Sequence, residues 1–283
     1  MRTPTLALRR ICASLLILSL TFAVAGCGNN TTENTSSSQA PTLPPDSTFL
    51  MTLGLSAFPA AAAPAFRGAS MATTPAGTNY TFAAVNVGVW NLIITVGLAV
   101  PVLTFAESFN HTPVLQPDGS WLWSYSKIIG DTYAAKLNGK VSGGQVTWNM
   151  YISKTTGTNQ FTDFNWFTGT ADLAATAGNW TMRKNPTEQV DLLSIDWHRN
   201  AAAGTGDIKF TNVEANATEE GGYISFKRTS DTPYDSFYDI YAKSANNLVN
   251  IEWNSTTKEG RVMNQQHFGD ALWHYWDSAL QNI

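Results

Sequence analysis

The chain has 283 residues, room for one large domain or two small ones, and carries a formal charge of −4 from 17 basic and 21 acidic side chains. That acidic balance argues against nucleic acid as a partner and against electrostatic docking on anionic lipid heads. Ten tryptophans stand beside only two cysteines, too few for a disulfide framework.

In chain order, Arg2, Arg9 and Arg10 form a positive n-region. Ile11 to Ala25 then form an apolar stretch of signal-peptide length, too short to span a bilayer comfortably. The stretch closes on Val24-Ala25-Gly26-Cys27, small residues followed by a cysteine. This run resembles the lipobox of bacterial lipoproteins. The resemblance implies that residues 1–26 are a lipoprotein signal peptide and that Cys27 is the lipidation site, diacylated on its thiol and acylated on its new amino end. Palmitate-type chains would hold such a protein in the membrane, since each buried CH₂ contributes about 0.8 kcal/mol. Cys12 leaves with the signal, so Cys27 is the only cysteine of the mature chain, and no catalytic cysteine or zinc knuckle is open to it. Loss of the three arginines leaves 14 basic against 21 acidic residues, a mature charge of −7. Gly28, not Asp, follows the cysteine. In the enterobacterial system that it resembles, Asp there favours inner-membrane retention, so the expected place is a bacterial cell envelope at the outer membrane.

Residues 27–48 read as a lipidated, disordered tether rich in Asn, Thr, Ser, Gln and Pro. Residues 49–119 combine an Ala/Pro-rich, irregular stretch with an apolar segment. No charged residue occurs between Arg67 and Glu107. The segment 82–109, "FAAVNVGVWNLIITVGLAVPVLTFAESF", admits three readings: a helix apolar on all sides and buried in a larger fold, a pair of buried strands, or a transmembrane segment. The buried helix is favoured. Asn86, Asn91 and Pro101 weaken the membrane reading, and Pro101 predicts a kink or stop near Val100.

From Ser120 the pattern changes to period two. In "TYAAKLNGKV" Tyr133, Ala135, Leu137 and Val141 share a face; in "QVTWNMYI" Val146, Trp148, Met150 and Ile152 do. Eight similar runs follow the same rule: "WLWSYSKI", "DFNWFTGT", "NWTMRK", "VDLLSIDWHR", "GDIKFTNV", "GYISFKR", "SFYDIYAK" and "NLVNIEWN". Turn signals such as Ser142-Gly143-Gly144 and Glu220-Gly221-Gly222 separate them. Residues 120–283 thus predict an antiparallel meander of about ten strands, with no crossover helices for a parallel sheet. The last stretch, "FGDALWHYWDSALQNI", returns to helical spacing, with Phe268, Leu272, Tyr275, Trp276 and Ala279 on one face, and predicts a short closing helix.

The expected fold class is therefore mostly β: a curled sheet or open barrel packing around the apolar helix 82–109. It is similar in architecture to the half-barrel of Lol-type lipoprotein carriers and receptors. In that family the concave face holds acyl chains, which makes a lipid or other apolar ligand the implied partner. Trp121, Trp123, Trp148, Trp166 and Trp90 are the candidate lining residues, with a filled core as the plainer role for such aromatics. Trp180, Trp197 and Trp253 fall on further strands.

Other constellations point less far. His267, Asp270 and His274 have offsets that suit one helix face and a transition metal, but also helix-end capping, and no metal ligand is assigned. Asp196 and His198 share a polar strand face and lack a nucleophile motif, so solvated residues explain them better. Acids in "DTPYDSFYDIY" lack the spacing of a calcium loop. The expectation is a non-enzymatic envelope lipoprotein without a cofactor, anchored in the membrane by lipid and binding an amphiphile. The alternatives are a structural or interaction lipoprotein with a fully packed core, and a surface glycan binder or hydrolase.

Overall fold

A computed structural model describes residues 39–50 and 76–283. The stretch read as a signal peptide, Cys27, most of the segment read as a tether, and residues 51–75 lie outside the described residues. Thirteen antiparallel strands form one sheet in strict chain order, so every strand pairs with its sequence neighbour. They are β1 (Val114–Leu115), β2 (Trp121–Ile129), β3 (Asp131–Ser142), β4 (Gln145–Lys154), β5 (Phe161–Asp172), β6 (Ala177–Arg183) and β7 (Asp191–Asn200). β8 (Thr205–Asn212), β9 (Tyr223–Arg228), β10 (Ser236–Ala242), β11 (Asn247–Trp253), β12 (Gly260–Met263) and β13 (His274–Trp276) complete it. β1 and β13 are the two edges, and the sheet is open.

All ten runs read as strands are strands, β2 to β11. The three additions, β1, β12 and β13, have two to four residues, too short to show alternation. The β3–β4 turn uses Gly143 and Gly144 at φ 58° and 81°, the left-handed values that a two-residue hairpin loop demands. In β4, Val146, Trp148, Met150 and Ile152 are all buried on one face.

That face is built from tryptophans laid over glycines. Gly139 is opposite Trp148, which is in turn opposite Gly169; Gly169 is opposite Trp180, and Gly178 opposite Trp197. Gly260 lies between Trp253 and Trp276. A methyl group at Gly139 would come within 2.6 Å of the Trp148 ring, and one at Gly178 within 2.5 Å of the Trp197 ring. Each glycine gives an indole room to lie flat on the neighbouring strand. Large rings thus fill the inner face without pushing strands apart.

Helical segments cover that face. They are a 3₁₀ turn (Asp46–Phe49), α1 (Thr78–Gly97), α2 (Ala99–Glu107), a second 3₁₀ turn (Ser108–Asn110) and α3 (Gln265–Phe268). α1 packs on β10, β12 and β13; α2 packs on β2, β3 and β4; the first 3₁₀ turn reaches β7. Tyr80, Ala83, Ala84, Val87, Ile94, Leu98, Val102 and Phe105 join the inward strand residues in one hydrophobic core. The apolar segment is therefore helical and packed on the sheet. α1 and α2 meet at a bend of 65°. Pro101 is in the first turn of α2, where its missing N–H costs nothing, and its ring excludes the carbonyl of residue 97. Hence the break falls at Gly97–Leu98, just before the expected position. No single described helix is long and apolar enough to cross a membrane.

Two expectations need correction. The closing helix is only the single turn α3: Asn264 caps it by accepting from the His267 amide, and Gly269 at φ 82° stops it. The chain then turns back into β13, where the Trp276 indole N–H reaches the Lys258 carbonyl at 2.8 Å. The tether reading also stops short of residue 48. Pro41, Pro44, Thr48 and Phe49 are buried. Proline lacks an N–H, so an irregular proline-rich segment enters a core with fewer donors to satisfy.

Candidate functional site

The inner face of the sheet is the surface on which the candidate tryptophans converge. Trp123, Trp148 and Trp166 are buried, Trp121 and Trp90 are half-buried, and Trp90 sits on α1 rather than on the sheet. Trp166 enters through a β-bulge in β5, which turns both it and Phe167 inward.

Phe49 occupies the middle of this face. Its ring stacks on Trp180 at 4.6 Å between centroids and lies 4.9 Å from both Phe105 of α2 and Phe167 of β5. Thr48 fixes it there. The Thr48 hydroxyl donates to the Pro45 carbonyl at 2.7 Å and accepts from the Trp180 indole N–H at 3.1 Å. Sequence reading missed Phe49, because the single aromatic at the end of a Ser/Thr/Pro run carries no periodicity. At the β2 end, the Tyr125 hydroxyl donates to the Thr104 carbonyl at 2.7 Å and ties α2 to the sheet. Burial pushes that phenol well above its ordinary value. Among the described residues, the buried indole N–H groups of Trp148, Trp166 and Trp197 have no hydrogen-bond partner.

Two open clefts lie elsewhere, lined mostly by polar and charged residues. One, about 430 Å³, opens at the ends of β7, β8 and β9 between Arg199, Asp207, Lys227 and Arg228. The Arg228 guanidinium donates to the Ser255 hydroxyl at 2.7 Å, and Asp235 stands 3.8 Å from it. Burial raises the Asp235 carboxyl. Donation from the Ser255 hydroxyl and amide and from the Ser236 hydroxyl, with the Arg228 charge, outweighs that and holds it below the usual carboxylate range. The second cleft, about 560 Å³, lies at the opposite strand ends beside Tyr133, Lys154 and Phe161.

The histidine constellations resolve into structural contacts. His198 lies 2.9 Å from Asp207 across the strand pair, so Asp207 rather than Asp196 is its partner. His267 stacks on Phe82 and His274 on Phe268, each at 3.8 Å between ring centroids. His274 also meets Asp270 at 3.0 Å. Among the described residues, no group of three His, Cys, Asp or Glu side chains is arranged to hold a metal ion.

The exposed face of α1 is the feature that sequence reading did not anticipate. Val85, Val89, Leu92 and Ile93 remain 41%, 53%, 41% and 57% exposed. Their spacing of four, seven and eight residues places them on one stripe, opposite the buried residues. A helix apolar on all sides announces burial, and the sheet covers only one side of this one. Comparison with protein-family models, with curated proteins and with solved structures finds no match to this chain.

Proposed function

We propose that this protein is a lipid-anchored, non-enzymatic protein of a bacterial cell envelope, at the outer membrane, whose sheet serves as a rigid scaffold for interaction rather than as a carrier. Cys27 in its lipobox-like setting supports the anchor, and Gly28 supports the outer membrane. One observation carries the choice of scaffold over carrier. Phe49, Phe105 and the helices α1 and α2 occupy the concave face that a carrier would keep for its ligand. Two open clefts lie at the strand ends, away from the buried tryptophans of the concave face.

A second reading has one observation in its favour. The unpartnered indole N–H groups of Trp148, Trp166 and Trp197 suit an amphiphile with an acceptor group, held among the aromatic rings. Native mass spectrometry of the full protein after gentle detergent extraction separates the two. The scaffold reading expects the mass of the triacylated chain alone. A stoichiometric co-purifying lipid overturns it. Metabolic labelling with palmitate tests the anchor: label on the wild type and none on Cys27→Ala is expected, and equal label on both removes the anchor.

A further inference from the structure

We infer that the outward stripe of α1 lies in the surface layer of a lipid bilayer, so that the helix is sandwiched between the sheet and lipid. This inference deepens the lipid-anchor reading and rests on it for location.

α1 has twenty residues, about 30 Å of helix at 1.5 Å per residue, with no charged side chain. One of its faces is buried on β10, β12 and β13. Val85, Val89, Leu92 and Ile93 form the other, with no described segment over them. Two apolar faces require two apolar neighbours. The helix's own polar side chains point the same way. Asn86 donates its amide to the Phe82 carbonyl at 2.9 Å, Thr81 donates to the Gly77 carbonyl at 2.9 Å, and Thr95 donates to the Asn91 side chain at 3.3 Å. Each of these three donors has an acceptor within the helix or its first turn, which lowers the cost of placing it beside lipid.

Chain length places a bilayer within reach. Eleven residues, 28–38, lie between Cys27 and Gln39, the first described residue, so the domain can stand no more than roughly 40 Å from an acylated cysteine at full extension. The contact is apolar rather than electrostatic, because the mature chain is acidic and α1 carries no cation. Binding therefore needs no anionic lipid and survives high salt.

The acylated mature protein carrying Val89→Cys tests this directly. Its Cys27 thiol is blocked by lipid, which leaves position 89 as the one reactive thiol for an environment-sensitive nitrobenzoxadiazole label. In phosphatidylcholine vesicles the label should shift to the blue, and quenchers on shallow acyl carbons should reach it. In the unacylated chain 28–283, Val89→Asp with Ile93→Asp should weaken partition into the same vesicles by about tenfold or more, the scale of losing two buried aliphatic side chains. A label that stays water-exposed in vesicles overturns the inference. So does a label already shielded without vesicles: dependence on protein concentration would show a second copy on the stripe, and independence would show residues 51–75 there. If two thiols react with the label, Cys27 is not acylated and the anchor reading fails. The label in a Cys27→Ala background then still decides the bilayer contact by itself.

Discussion

Gly169 of β5 stands in cross-strand register between Trp148 of β4 and Trp180 of β6, and a side chain there would meet the Trp180 ring and the Asn179 carbonyl. Alanine ordinarily improves on glycine within a strand by roughly 0.5–1 kcal/mol. Here the contact reverses the sign, and Gly169→Ala is expected to destabilise by about 1–3 kcal/mol, the cost of overpacking. Gly97→Ala is the control: nothing lies within 4 Å of the added methyl, and the site is helical. It should stabilise by up to about 1 kcal/mol. Urea unfolding of the two variants checks the pair, and a Gly169→Ala protein as stable as the wild type would refute the tryptophan-over-glycine account.

The Thr48–Trp180 hydrogen bond joins the isolated 3₁₀ turn Asp46–Phe49 to the centre of the sheet. Thr48→Val keeps the shape but leaves a buried indole N–H without a partner, at an expected cost of about 1–3 kcal/mol. Phe49→Ala removes a fully buried ring and should cost about 3–5 kcal/mol. Both variants should also open residues 39–50 to protease before the sheet unfolds. Limited proteolysis followed by mass spectrometry reads this, and cleavage no faster than in the wild type would show that the segment is held by other contacts.

The sheet was legible because its strands alternate. Val146, Trp148, Met150 and Ile152 announce an inner face, and glycines at several turns, Gly130, Gly143, Gly144 and Gly204 among them, announce where those strands end. The filling of that face was half legible. The absence of charge between Arg67 and Glu107 marks the helices as apolar, but residue type alone does not show which side of α1 meets the sheet. Its buried and exposed stripes carry the same kinds of residue, Val87 and Ile94 on one, Val89 and Ile93 on the other. Phe49 was illegible, since what places it is a partner ring on Trp180, 131 positions later. The C-terminal helix failed for a related reason. Gly269 and the pull of Trp276 toward Gly260 outweigh a helical spacing of apolar residues.

Acid should weaken the domain partly through Asp235. Its folded-state carboxyl is held below the ordinary value, so its contribution to stability is complete above about pH 4, the unfolded value. That contribution is lost as pH falls through the lower folded value. Asp235→Asn should therefore cost about 1–2 kcal/mol at pH 7, the scale of charge-assisted hydrogen bonds. Its deficit against the wild type should close on acidification below pH 4. Urea midpoints of the two proteins from pH 7 to pH 2 check this, and curves that run parallel throughout would mean that the Ser255 and Arg228 contacts do not act on the charged form.

Two buried tryptophans separate a packed interior from one that holds a polar guest. Trp180 and Trp197 are both inside the core, but only the Trp180 N–H has a partner, Thr48. Replacing either by phenylalanine removes the same ring volume, so the cavity cost is comparable. Trp180→Phe also loses a hydrogen bond, worth about 1 kcal/mol net. In a packed scaffold, Trp180→Phe should thus be the more damaging change by about that amount. An acceptor bound inside the sheet would give the Trp197 N–H a partner as well. The two variants would then lose alike, and delipidation would restore the gap between them. Thermal unfolding of both, before and after solvent extraction, makes the comparison. A gap present from the start and untouched by extraction supports the scaffold; its appearance only after extraction sinks it.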